Sequence, residues 1–203
     1  MPRHDNFIVP EPSFHIRSRG RIPHWELDQA FYSFTIHLDD VLPRDVVIDL
    51  KEERRHALAR ASTDVERRAV DRMFDMRIDS FADQGHGACH MAKPEAADIV
   101  ERALWFFNDE RYALHAYAVM PNHAHILLCL FRGSDLARTM HSLKSFTSNE
   151  INKLVGRAGR LWEREYHDRI IRDSRDYDNT IRYILDNPEK AGLHDWRWVW
   201  PRF

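Results

Sequence analysis

Apolar positions along the chain switch between two periods. Phe31 to Leu38 (Phe-Tyr-Ser-Phe-Thr-Ile-His-Leu) is aromatic and β-branched, which predicts a strand. From Asp45 to about Phe81 the spacing is helical: Leu58, Val65, Ala69, Met73 and Phe74 recur among Arg, Glu, Asp and Ala. One or two exposed helices are expected there, broken near residues 61–64, where Ser and Asp suit an N-cap. Pro94 suits the first turn of a helix through Ala97, Val100, Leu104 and Phe107. Arg111 to Val119 reads as a strand that Met120-Pro121-Asn122 turns back into His123–Leu130. Gly133-Ser134-Asp135 opens a helix carrying Leu136, Met140, Leu143 and Phe146 and ending near Leu154, with Gly156 and Gly159 marking the loop after it. Trp162 to Ile171 is short and aromatic and fits neither period. Asp173 or Ser174 caps a last helix expected to stop before Pro188, because a residue preceding proline is pushed out of the helical region. Residues 1–29 read as irregular. Strands mixed with helices around a central antiparallel hairpin indicate an α+β domain.

Composition narrows this picture. A chain of 203 residues, 43% hydrophobic and 31% charged, is expected to be one soluble domain with a substantial core. No run approaches the roughly 18 apolar residues of a membrane helix. The first residues lack the apolar core of a secretion signal, so a cytoplasmic protein is expected. Cys89 and Cys129 have no CxxC spacing and read as structural thiols. The net charge of −2 does not advertise a nucleic-acid binder, yet Arg132 to Arg172 holds nine Lys/Arg against five acids. Asp39 to Ser80 leans the other way, with eleven acids against nine Lys/Arg, and is not expected to track a phosphate backbone. Charge permits a DNA partner without requiring one.

The residues that carry chemistry lie in two places. His123 and His125 stand two apart on a predicted strand, so both imidazoles project from one face, about 7 Å apart at Cα. Such a pair can converge on one divalent ion, although thirteen histidines make chance pairs common. Downstream, Tyr183 and Asn187 are four apart and share a helix face. The Asn187 amide oxygen is a neutral ligand suited to a hard or borderline cation such as Mg²⁺ or Mn²⁺. The Tyr183 phenol is a nucleophile for whatever that cation polarises. Taken without the histidines, Tyr183 reads as well as a half-buried core aromatic and Asn187 as a helix C-cap.

Together these motifs resemble the REP-associated tyrosine transposases, within the single-tyrosine HUH nucleases. His123-Ala124-His125 matches the His-hydrophobic-His signature. An aromatic stretch (Trp162, Tyr166, Asp168) followed by Tyr183-Ile-Leu-Asp-Asn-Pro-Glu-Lys-Ala-Gly-Leu193 matches the second, and Arg19–Trp25 resembles the family's start. The likeness takes in about residues 15–200. It implies a ferredoxin-like HUH fold, a central antiparallel sheet with helices packed on it, in a single domain over 1–203. Residues 39–85 would be a helical insertion and 188–203 a Trp-rich tail. The resemblance implies His123, His125 and Asn187 as ligands of Mg²⁺ or Mn²⁺ and Tyr183 as nucleophile, Asn187 standing where related enzymes often have glutamine. Tyr166 and Tyr177 are expected to be packing residues. The implied reaction is transesterification on single-stranded, hairpin-forming repeat DNA through a 5′-phosphotyrosine link, by a monomer or homodimer. Arg138, Lys144 and Arg172 are candidate phosphate contacts, and Trp25, Trp162 and Trp198 candidate stacking residues. Trp196-Arg-Trp-Val-Trp200 resembles the family's Trp-rich end but lacks the Ser-Ser that usually follows. Two other readings remain open: a hairpin-binding protein without turnover, and a His-based phosphoesterase that needs no tyrosine.

Overall fold

A computed structural model describes residues 30–164 and 166–201, together with the backbone of two short strands, β1 (His15–Ser18) and β2 (Pro23–Glu26). These two pair antiparallel, Ile16 opposite Trp25, where an irregular segment was expected. Four-residue strands are too short to show a period. The main sheet has five strands in the order β6-β3-β5-β4-β7, with every neighbouring pair antiparallel. Its members are β3 (Phe31–His37), β4 (Tyr112–Val119), β5 (His123–Leu130), β6 (His167–Ile170) and β7 (Val199–Trp200).

Helices α3 (Pro94–Phe106) and α4 (Leu136–Val155) complete a β-α-β-β-α-β unit from β3 to β6, the ferredoxin-like arrangement in which the third strand lies between the first and second. Between β3 and α3 the chain runs through α1 (Arg44–Arg60) and α2 (Asp64–Asp83). Their junction falls at the break expected near residues 61–64, but the cap is Thr63 rather than Ser62 or Asp64: its hydroxyl accepts from Glu66 N while the Glu66 carboxylate accepts from Thr63 N. Gly156, at φ 67°, ends α4 in the left-handed conformation that glycine adopts without a Cβ clash.

Strand alternation divides the core in two. Tyr32, Phe34, Ile36, Ala124, Ile126 and Leu128 face α3 and α4. Ala116, Ala118 and Leu127 face α5 (Ser174–Lys190) with Ile184, Ile181 and Tyr177. A bulge between Leu114 and Ala116 brings His115 to this second face, where it meets Phe31 and Tyr177.

The last helix departs from expectation: α5 continues through Pro188 to Lys190, with Asn187 inside it. Proline removes one amide donor, but near a helix end the loss is confined to a single turn. The turn closes as Ala191 N donates to Asn187 O and Leu193 N donates to Pro188 O. The tail forms β7 on the β4 edge, anchored by Trp196 Nε1 donating to Val119 O at 2.7 Å. Among the described residues no helix is long and apolar enough to cross a membrane.

Candidate active site

Register builds the site. On the α5 face of the sheet, Thr35 stands opposite His125 and His37 opposite His123 across the β3–β5 pairing. All four are buried, and the small Ala124 between the histidines points into the other core. His123 Nε2 and His125 Nε2 lie 3.0 Å apart, with the ring planes at 80°.

The proton positions on these rings follow from their neighbours. Asn122, fully buried, uses its Nδ2 to donate to Ala82 O (2.9 Å) and His86 O (2.8 Å), and carbonyls only accept. Its Oδ1 therefore faces His123 Nδ1 at 2.7 Å and accepts from it, leaving the His123 Nε2 lone pair free. His125 Nδ1 lies 2.9 Å from Thr35 Oγ1, and Asn187 Nδ2, which only donates, lies 3.0 Å from His125 Nε2. A proton on His125 Nδ1 satisfies both contacts. Two nitrogen lone pairs then converge on one point.

Burial keeps both rings neutral. It pushes His125 down to about 4, and it holds His123 well below the ordinary imidazole range, with His125 and His37 adding to the effect.

α5 brings Asn187 and Tyr183 over this pair. Asn187 is buried, and its Oδ1 has no hydrogen-bond partner. A rotation of about 180° exchanges the amide oxygen and nitrogen and aims Oδ1 at the histidines. The Tyr183 ring stands edge-on to His125 with centroids 5.3 Å apart, and is 42% exposed on its outer side.

A second pair of residues comes from α2. Asp79 Oδ1 lies 3.0 Å from His37 Nε2, and the Tyr183 hydroxyl reaches Asp79 Oδ2 at 3.5 Å. Asp83 Oδ1 lies 3.4 Å from His123 Nε2 without hydrogen-bond geometry, and is buried with no partner. Burial and then the Asp79 charge push the Asp83 carboxyl up to about 6. Restricted solvent access, then Asp79 and Asp83, push the Tyr183 phenol above its ordinary value.

These features fit a divalent cation. Asp83, His123 and His125 present ligand atoms within 4.8 Å of one another. Facing lone pairs and orphaned oxygens repel one another without a positive charge between them, and are stabilised by one.

The structure thus brings Tyr183, His123, His125 and Asn187 into one cleft within a single chain. Other expected contacts fall elsewhere. Trp162 is a core residue, with Nε1 donating to Thr147 Oγ1 at 2.8 Å; its faces are covered by the first core, so it offers no stacking surface. Trp198 is likewise buried, donating to Asp98 Oδ1 at 2.8 Å. Lys144 directs its ammonium at the Glu163 and Arg164 carbonyls, which tie down the loop before β6. Arg138 and Arg172 are exposed. The side chain of Trp25 lies outside the described residues. Tyr166 packs edge-on against Phe34, and Tyr177 pairs with His115 Nδ1 at 2.7 Å.

Thr35, His37, Asp79, Asp83 and Asn122 are site residues that sequence reasoning missed. Only the i, i+4 spacing of Asp79 and Asp83 hints at a shared face.

Residues 93–187, from the residue before α3 to Asn187, match the family model of IS200-like transposases. The matched segment takes in just under half of the chain. Among curated proteins it is similar to a Haemophilus influenzae protein assigned as a REP-associated tyrosine transposase, 28% identical over 96 residues. That match takes in 42% of this chain and about half (54%) of the relative's length. Among solved structures it is similar to a REP-associated tyrosine transposase bound to a REP hairpin: 18% identity, 90% of this chain and 82% of the other, TM-score 0.48. A transposase candidate from Deinococcus radiodurans matches at 15% identity over 84% of this chain and 96% of the other, TM-score 0.33.

Proposed function

We propose that the protein is a divalent-metal-dependent endonuclease and strand transferase acting on single-stranded, hairpin-forming repeat DNA, with Tyr183 as nucleophile. One observation carries the reading: Tyr183, His123, His125 and Asn187, drawn from positions sixty residues apart, meet at one cleft. His123, His125 and Asn187 would hold Mg²⁺ or Mn²⁺, whose charge, when bound, offsets the charge developing on the phosphate oxygens.

The chain's own residues do the rest. Thr35 and Asn122 fix the histidine tautomers. α5 sets the phenol on the same side of the sheet as the ligand atoms, a preorganised approach to a bound phosphodiester. Tyr183 Oη attacks phosphorus as the P–O3′ bond breaks, giving a 5′-phosphotyrosine link and a 3′-hydroxyl. Asp79 Oδ2 is the nearest acceptor for the phenol proton. A phenoxide leaves more readily than an alkoxide, so attack by a 3′-hydroxyl reverses the step and rejoins strands without an external energy source.

Incubation of a labelled repeat hairpin with Mn²⁺, followed by denaturing electrophoresis, tests the reading. A covalent adduct is expected from wild type and not from Tyr183→Phe. An adduct that survives the substitution removes Tyr183 from the role of nucleophile.

A further inference from the structure

α2 lies outside the segment that matches the transposase family, in a stretch that the sequence gives no reason to associate with chemistry. It nevertheless ends inside the cleft. The structure assigns Asp83, its last residue, as a fourth ligand of the divalent ion proposed for His123, His125 and Asn187.

Three independent observations converge on this assignment. The first is distance and direction. Asp83 Oδ1 lies 3.4 Å from His123 Nε2, and all three candidate ligand atoms from Asp83, His123 and His125 fall within 4.8 Å of one another. The second is the lack of any other use for that oxygen. Asp83 Oδ1 is buried and accepts no hydrogen bond, a costly state for a carboxylate unless a cation balances it. The Asn187 oxygen on the opposite wall is orphaned in the same way. Asp79, one turn earlier, is not in this position, because its carboxylate is paired with His37 and lies beside Tyr183.

The third observation is that the position of Asp83 is anchored. Asn122 holds the neighbouring Ala82 carbonyl with the same amide group whose oxygen orients His123. Phe74 and Ala82 of α2 are buried in the first core cluster. One buried side chain therefore fixes both the tautomer of a histidine ligand and the end of the helix carrying the carboxylate.

The chemistry gives Asp83 a distinct task. Two imidazoles and a carboxamide are all neutral, and Mg²⁺ and Mn²⁺ favour anionic oxygen ligands. Asp83 supplies the one negative charge in the set, so affinity in the absence of DNA depends on it. This assignment rests on the ion site proposed above, and its test separates the two.

Mn²⁺ binding to the full-length protein without DNA is measured by electron paramagnetic resonance of the free ion, for wild type and for Asp83→Asn, Asp75→Asn and His123→Ala. Far-UV circular dichroism checks that each variant is folded, and Asp83→Ala replaces Asp83→Asn if the latter is not. The expected result is a loss of about ten-fold or more in affinity for Asp83→Asn, since ligand charge tunes divalent-ion affinity over decades. Asp75→Asn, on the same helix and in the same cleft, is expected to bind like wild type. Loss of binding in His123→Ala with Asp83→Asn unchanged overturns the assignment of Asp83 and leaves the histidine site standing. Binding unchanged in both overturns the ion site itself.

Discussion

Asn122 is the most connected small side chain in the cleft, and its removal tests how the site is held. Asn122→Ala deletes three hydrogen bonds of a buried side chain: two donated, to the Ala82 carbonyl and, in a half-buried bond, to the His86 carbonyl, and one accepted from His123 Nδ1. At about 1 kcal/mol net for each, the direct loss is roughly 3 kcal/mol, and more where a group stays buried and unpaired. The imidazole also loses the partner that fixes its tautomer, and such second-sphere losses weaken metal binding by about 10- to 100-fold. Urea denaturation with and without Mn²⁺ reads both effects. At a free ion concentration of 100 times the wild-type Kd, the ion stabilises wild type by about 2.7 kcal/mol and a variant weakened ten-fold by about 1.4 kcal/mol. Asn122→Ala is therefore expected to unfold at lower urea and to gain half as much from Mn²⁺, or less. A variant within about 1 kcal/mol of wild type that keeps the full Mn²⁺ increment would refute the clamp.

Three further outcomes are expected. Thr35→Val keeps the shape of a buried side chain but strips His125 Nδ1 of its partner, so Mn²⁺ affinity should fall while Thr35→Ser retains it; equal affinities in calorimetric titration would show that the hydroxyl does not set the ring. Trp162→Ala should cost about 3–5 kcal/mol in chemical denaturation, as expected for a large aromatic in a packed core, and a loss below about 1 kcal/mol would contradict its burial. Burial holds His115 below the ordinary imidazole value, so the unfolded chain takes up its proton first as pH falls. The stability it contributes is present above about pH 6.5 and lost below it. His115→Gln should lose less stability than wild type between pH 7.5 and 5.5, and an identical loss would exclude this contribution.

What could be read from the sequence was local. The alternation around His123–Leu130, the turn at Met120–Asn122 and the spacing of Tyr183 and Asn187 are short-range patterns, and they specify which side chains share a face. The helix break at residues 61–64 was equally legible, because capping chemistry lies within four residues. The contacts that complete the cleft were not legible. His37 meets Asp79 across 42 residues, Asn122 meets Ala82 across 40, and Thr35 meets His125 across 90. Each depends on strand register or on where α2 docks, neither of which has a local signature. Pro188 misled for a related reason: its preference against a preceding helical residue is real, but α5 continues through it, with Asn187 and Pro188 both buried on the inner face of the helix. The indole of Trp162 looked available to a base because aromatic residues near basic ones suit DNA contacts. Packing claims it first.

The pairing of β3 with β5 gives the cleft a parity. His37 with His123 and Thr35 with His125 are all odd-numbered positions on one face, while Phe34, Ile36, Ala124 and Ile126 fill the other. Losing or gaining one residue within either strand would carry that strand's polar members into the hydrocarbon interior and its apolar members into the cleft. Changes of even length would restore the face but shift each histidine past its partner. An insertion or deletion that leaves the cleft intact therefore belongs outside these two strands, as beyond Leu38 in α1 and α2, provided that the end of α2 still returns to Asn122.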